Sequence, residues 1–152
     1  MRPSWNATAA LLLALSTPAV RADAWGASAP PAWPPTRVGA LARDWVTAFN
    51  TGEDAMRAFL KDKMAAKNLA EKGVPARVER YRTLREKYGR LQLERVIVSS
   101  ASELTVKLLD TDAHAREFTF RSETAAPYRL ASVSLKESVP GMHGMFGGFH
   151  NP

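Results

Sequence analysis

The 152 residues include no cysteine, which excludes disulfide staples, thiolate nucleophiles and cysteine-borne lipid anchors. No hydrophobic run is long enough to cross a bilayer, which takes roughly 20 apolar residues. The best stretch, residues 7–15, is interrupted at once by Ser16, Thr17 and Pro18. A Gly-x-Ser-x-Gly elbow and a glycine-rich phosphate loop are also missing, so nothing announces a hydrolase or a nucleotide enzyme. Nor is there a block of one charge sign. In "KDKMAAKNLAEKG" and "ARVERYRTLREKYGR" bases and acids alternate, and Arg77, Arg80, Arg82, Arg85 and Lys87 scatter around a helical wheel. That arrangement describes a solvated helix surface rather than the one-sided basic stripe of a nucleic-acid binder.

What is present begins with an export pattern. "MRPSWNATAALLLALSTPAVRADA" joins a basic start at Arg2 to an apolar stretch and small residues before a cut. Val20 and Ala22 suit the minus-three and minus-one positions, so residues 1–22 read as a signal peptide; cleavage after Ala24 is the close rival. The expectation is a soluble periplasmic or secreted protein. Loss of Arg2 and Arg21 with the leader lowers the net charge from +6 to +4. About 130 residues then remain, enough for one domain with one core.

Residues 23–37 form a proline-rich leader, from which Trp25 and Trp33 are placed to pack back on the body. Beyond it, Val38, Leu41, Trp45 and Phe49 recur at helical spacing. Asn50 is the expected C-cap of that helix and Thr51 the N-cap of the next, whose stripe is Met56, Phe59 and Leu60. A third helical piece is predicted over 62–71, ending at Gly73. A fourth starts with Pro75 in its first turn, carries Val78, Tyr81, Leu84 and Tyr88, and closes at Gly89.

After Gly89 the period changes to 2. "LQLERVIVSS", "ELTVKLLD", "HAREFTFRSE" and "YRLASVSLK" predict four strands. Leu104, Val106 and Leu108 share one face, as do Phe118 and Phe120; Glu103, Thr105, Lys107, Glu117, Thr119 and Arg121 take the other. The outer two strands break parity. Leu91 and Leu93 are odd where Val96 and Val98 are even, and Tyr128 and Leu130 are even where Val133 and Leu135 are odd. Bulges near Arg95 and near Ala131–Ser132 would restore a single inner face and bend the sheet; the alternative is that these strands are buried on both sides. The predicted fold class is α+β: N-terminal helices packed on one face of a strongly curved antiparallel sheet of about four strands, a half-open cone over residues 38–136.

"WVTAFNTGEDAMRAFL", the later "REKYGRLQLERVIV" and the closing "YRLASVSL" resemble the nuclear transport factor 2-like superfamily, in particular its small exported bacterial members. The resemblance covers roughly residues 38–136 and rests on an aromatic helix ending near Asn-x-Gly, a Tyr-Gly before the first strand, and alternating strands. It implies the cone; none of these motifs is a catalytic signature.

Enzymes of that superfamily keep acid–base groups at the mouth of the cone. The candidate cavity residues here are Trp45, Phe49, Tyr81, Tyr88, His114, Arg116 and Phe118. His114 and Arg116 extend the Phe118–Phe120 face to the rim, where they can meet an anionic or carbonyl group or simply stand in water. Tyr81 and Tyr88 either point phenols into the cavity or serve as core with a backbone partner for the hydroxyl. Asp44, the nearest acid, lies off the first helical stripe, so no base–donor pair emerges and no cofactor is expected. The tail, residues 137–152, carries Met142, His143, Met145 and His150, weak candidates for copper, beside Phe146 and Phe149, which suit a groove or partner. Three functions follow: a non-catalytic domain binding a small hydrophobic ligand or protein partner, with homodimerisation through the sheet as one form; a small isomerase, dehydratase or cyclase; and an accessory subunit of an envelope hydrolase. Filling of the cone by Trp45, Phe49, Leu104 and Phe120 would favour interaction over cavity chemistry.

Overall fold

A computed structural model describes residues 29–136. The expected signal peptide, Trp25 and the Met/His tail lie outside the described residues. Helix α1 (Arg37–Thr51) starts where Thr36 accepts the Gly39 N–H on its Oγ1 at 3.0 Å. The carbonyl of Pro34 lies where a Cβ on residue 39 would stand, so glycine there lets the proline segment settle onto the first turn. Trp33 is half-buried against the core at the same end.

The break after α1 differs from the expected one. The helix passes through Asn50 and Thr51, and Gly52 makes the turn with φ 147°, a conformation that disfavours any side chain. Thr51 caps nothing; its hydroxyl donates back to Thr47 O at 2.7 Å. Asn50 is put to another use. Its Nδ2 donates to Leu91 O at 2.7 Å, and its Oδ1 accepts from Leu91 N at 2.9 Å, so one side chain pairs with both polar groups of the residue preceding the sheet. Asn50→Ala leaves a partly buried peptide group without either partner and should cost about 1–3 kcal/mol in urea unfolding.

Helix α2 (Glu53–Lys63) buries Met56, Phe59 and Leu60. Its first residue, Glu53, receives Arg82 from a later helix in a two-pronged contact at 2.7 and 2.8 Å, and Arg57 at 2.6 Å. The Arg82 hydrogen bond, against a smaller burial penalty, holds the Glu53 carboxyl below its ordinary range. The predicted helix over 62–71 is split, with α3 covering only Ala66–Glu71. Met64 leaves the helix with φ −82° and ψ 140° and forms a parallel bridge with Leu130, while Ala65 N donates to Leu130 O at 2.9 Å. A tertiary partner on the sheet overrides local helix preference at this point. Helix α4 (Val74–Tyr88) has Pro75 in its first turn and ends at Gly89, φ 65°. A Cβ there would run into the Thr111 hydroxyl, which accepts Arg90 N at 2.8 Å.

The sheet is an open antiparallel meander in the order β1 (Gln92–Ser99), β2 (Glu103–Leu109), β3 (Ala115–Ser122), β4 (Leu130–Lys136). Its inner face follows from the register: Leu104 opposite Phe120, Val106 opposite Phe118, then Phe118 opposite Leu135 and Phe120 opposite Val133. The β4 bulge falls where parity demanded it. Arg121 pairs with Ser132 and Ser122 with Leu130, leaving Ala131 as the extra residue, its carbonyl taken by Asn68 Nδ2 from α3.

β1 carries two irregularities where one was expected, at Glu94 and again at Ile97. The second returns Val98 to the outer face opposite Thr105, so Val98 is 46% exposed rather than part of the core. Thr105 in turn is only 7% exposed, although its face was expected to be wet. It sits in a central strand between Val98 and Thr119, and its hydroxyl meets that of Thr119 at 3.0 Å. Around it the outer face is charged and paired, Arg121 to Glu103 at 2.7 Å and Lys136 to Glu117 at 3.7 Å.

Helix α1 lies on β2 and β3, and α2 joins α1 to α4. Trp45 is the centre of the closure: its ring is 5.2 Å from Phe49, 5.9 Å from Phe118 and 5.5 Å from Phe120. Phe49, Leu104, Phe118 and Phe120 are at most 1% exposed, so aromatic packing fills the cone.

Candidate functional site

Because α1 stops over β3, the inner face of β4 is incompletely roofed, and Val133 and Leu135 remain half-buried. A slot opens there. It is lined by Trp45, Tyr81 and Phe118, by Met56, Leu60 and Met64, and by Leu84 with the β4 pair. Its volume is about 80 Å³. Ligand sites for whole drug-sized molecules run to roughly 300–1,000 Å³, so this slot accepts one apolar group. Arg77 and Arg80 stand at its rim. Arg77 is committed to scaffolding, donating from Nη2 to Asn68 O at 2.6 Å and from Nε to Lys72 O at 3.0 Å. Arg80 is exposed and has no carboxylate partner among the described residues.

The seven predicted cavity residues separate into three groups. Trp45, Tyr81 and Phe118 line the slot. Phe49 lies behind them, fully buried against Trp45 and, at 5.4 Å, Tyr81. Tyr81 is the core tyrosine with a backbone partner, its hydroxyl 3.4 Å from Phe49 O, and so does not point a free phenol at a ligand. Tyr88, His114 and Arg116 are elsewhere, at the β2–β3 hairpin. Tyr88 is buried under the Arg116 guanidinium, 5.1 Å from its ring centre. His114 is 68% exposed and does not line the slot. Asp44 is paired with neighbouring Arg43 at 3.2 Å on the surface. An acid and an imidazole do meet at the hairpin, His114 Nδ1 lying 3.7 Å from Asp110 Oδ1, but neither residue lines the slot.

Sequence reading missed what organises that hairpin. Asp110 is buried, and its Oδ1 accepts Asp112 N at 3.0 Å and His114 N at 2.8 Å while Oδ2 accepts Arg116 Nε at 3.0 Å. Burial alone would push the Asp110 carboxyl up, but the His114 N–H, Arg116 and the Asp112 N–H together hold it below its ordinary value. The signal lay in "LLDTDAH": an Asp-Thr-Asp cluster directly after an apolar strand run is the composition of a turn that an Asp side chain can close. Asp110, Asp112 and His114 also place one ligand atom each within 4.8 Å of one another, a trio of the kind that holds a metal. The donor set does not suit one, because a cation on Asp110 would have to displace Arg116 and two backbone N–H groups. Met142, His143, Met145 and His150 lie outside the described residues.

The slot walls were partly legible. Met56 and Leu60 belong to the second helical stripe and Leu84 to the fourth, while Val133 and Leu135 carry the odd parity of the last strand. Arg77 and Arg80 were read only as solvated surface. Comparison with protein-family models, with curated proteins and with solved structures finds no match for this chain.

Proposed function

We propose that this chain is a non-catalytic interaction domain of the nuclear transport factor 2-like type, exported by residues 1–22, whose slot between α2, α4 and β4 receives an apolar side chain of a protein partner. The observation that carries this reading is the shape of the cone: its depth is filled by Trp45, Phe49, Leu104 and Phe120, and what stays open is room for a single apolar group. Two methionines on the wall give such a seat the adaptability that binding surfaces use. Arg80 at the rim favours an acidic residue beside the inserted group, in keeping with the basic balance of the chain. A small hydrophobic ligand is the second reading, supported by the same methionines, whose rotation would deepen the slot. Acid–base chemistry finds no support, since the residues lining the slot include no carboxylate or imidazole.

A photo-crosslinking side chain in place of Ala76, exposed one turn before Arg80, tests the proposal in cells. The expected result is a discrete protein adduct in the envelope fraction, reduced at least about tenfold by Leu135→Glu, a loss that corresponds to roughly 1.4 kcal/mol. A low-mass adduct alone favours the ligand reading. An adduct indifferent to Leu135→Glu, or confined to the cytoplasm, defeats the proposal.

A further inference from the structure

A second cleft, sharing no residue with the slot, lies between the start of α1, the β1–β2 turn and the β3–β4 turn, with a volume of about 380 Å³. Its chemistry is different. Ser122, 8% exposed, gives its backbone N–H to Ser102 O at 2.9 Å, but its hydroxyl has no partner among the described residues and opens on this cleft. No side-chain oxygen is buried without a partner among the described residues, so the Ser122 hydroxyl reaches the cleft and is free to bond a molecule that enters it. The Ser102 and Thr124 hydroxyls line the same cleft, likewise without side-chain partners among the described residues.

Tyr128 faces these hydroxyls from a backbone conformation a bulky residue rarely adopts, φ 56°. Its N–H is tied to Ala125 O at 2.9 Å, and the Arg37 guanidinium carbon sits 3.9 Å from its ring centre. A strained residue fixed from two sides is a feature of ligand clamps.

Charge selects the ligand. Arg37 and Glu123 line the cleft together; Glu123 Oε2 is held by Arg129 N at 3.0 Å, and Arg37 has no carboxylate partner among the described residues. An anion entering the cleft meets Glu123, a cation meets Arg37, and an apolar group meets three unpaired hydroxyls. A neutral molecule carrying several hydroxyls satisfies all of them, because each of its hydroxyls both donates and accepts. From this juxtaposition we infer that the cleft is a binding site for a saccharide ring, with Ser122, Thr124 and Glu123 bonding ring hydroxyls, Arg37 donating from its fork, and Tyr128 supplying an amphipathic wall.

Amide chemical shifts of the full chain, recorded with D-glucose, D-galactose, D-mannose, N-acetyl-D-glucosamine and inorganic phosphate in separate titrations, test it. At least one sugar should move the amides of Ser102, Ser122, Thr124 and Tyr128 saturably, and phosphate should not. Ser122→Ala should weaken that sugar about tenfold while leaving the melting temperature unchanged, since the hydroxyl bonds nothing in the protein. Thr124→Ala, at an exposed position, gives the same readout if Ser122→Ala folds poorly. Silence with every sugar, a response to phosphate alone, or undiminished binding in both variants overturns the assignment. None of these outcomes bears on the slot, whose crosslinking test uses other residues.

Discussion

Phe120→Ala should destabilise the protein by about 3–5 kcal/mol, the largest loss expected from any single truncation in the sheet. The side chain is 0% exposed and meets neighbours from three strands and a helix at one point: Leu104 across one ladder, Val133 across the other, Phe118 two residues away and Trp45 from the helix above. A cavity at that crossing cannot close by moving one group, because each wall belongs to a different element. Domains of this size are stable by only about 5–15 kcal/mol, so the variant should melt roughly 15 °C or more below the parent. Ile97→Ala makes the control. Ile97 is equally apolar but 44% exposed at an irregular point of β1, and its truncation should cost about 1 kcal/mol or less. Equal losses in the two variants, measured by urea unfolding, would mean that the inner face has been assigned wrongly.

That inner face was readable because period and parity are local properties. Leu104, Val106, Phe118 and Phe120 alternate without interruption, and the parity break between Leu130 and Val133 marked the Ala131 bulge. Where the reading failed, a distant partner decided the local state. Nothing in the sequence near Met64 announces that it will leave a helix to pair with Leu130, 66 positions on. Asn50 looked like a cap because asparagine often is one; its actual partner, Leu91, lies beyond two intervening helices and the whole of a third. A second irregularity at Ile97 was invisible because Val96 and Val98 satisfy a simple alternation on their own.

The slot shows the same division. Its apolar walls come from stripes that periodicity detects, but their convergence depends on where α1 ends relative to β4, which is a matter of helix length and crossing. Arg80 illustrates the limit: its place on a helical wheel is unremarkable, and only the neighbouring β4 turns it into a rim residue. His114 and Arg116 fail in the opposite sense. Extending the Phe118–Phe120 face outward was sound geometry as far as Arg116, but the hairpin turn intervenes, and Asp110 captures the guanidinium before it can reach the cavity.

Asp110→Ala should be the most damaging polar substitution, costing about 2–4 kcal/mol. It removes the acceptor of two backbone N–H groups and strands Arg116, whose side chain is 28% exposed and so recovers part of its hydration. Asp110→Asn should cost less, because an amide oxygen can still accept both N–H groups while the charged contacts with Arg116 and His114 are lost. The pH dependence separates charge from shape. The folded carboxyl titrates below its unfolded value, near 3.8, so its contribution is complete above that pH and disappears as pH falls through the lower folded value. The gap in stability between parent and Asp110→Asn should therefore narrow below about pH 4, the other carboxylates cancelling in the difference. A gap that widens in acid would mean that Asp110 is not held as the anion by Arg116 and its turn. Since Asp110 lines neither cleft, both variants should keep crosslinking through the slot and sugar shifts at Ser122 at temperatures where they remain folded, which would separate the hairpin that holds the sheet together from the surfaces that bind.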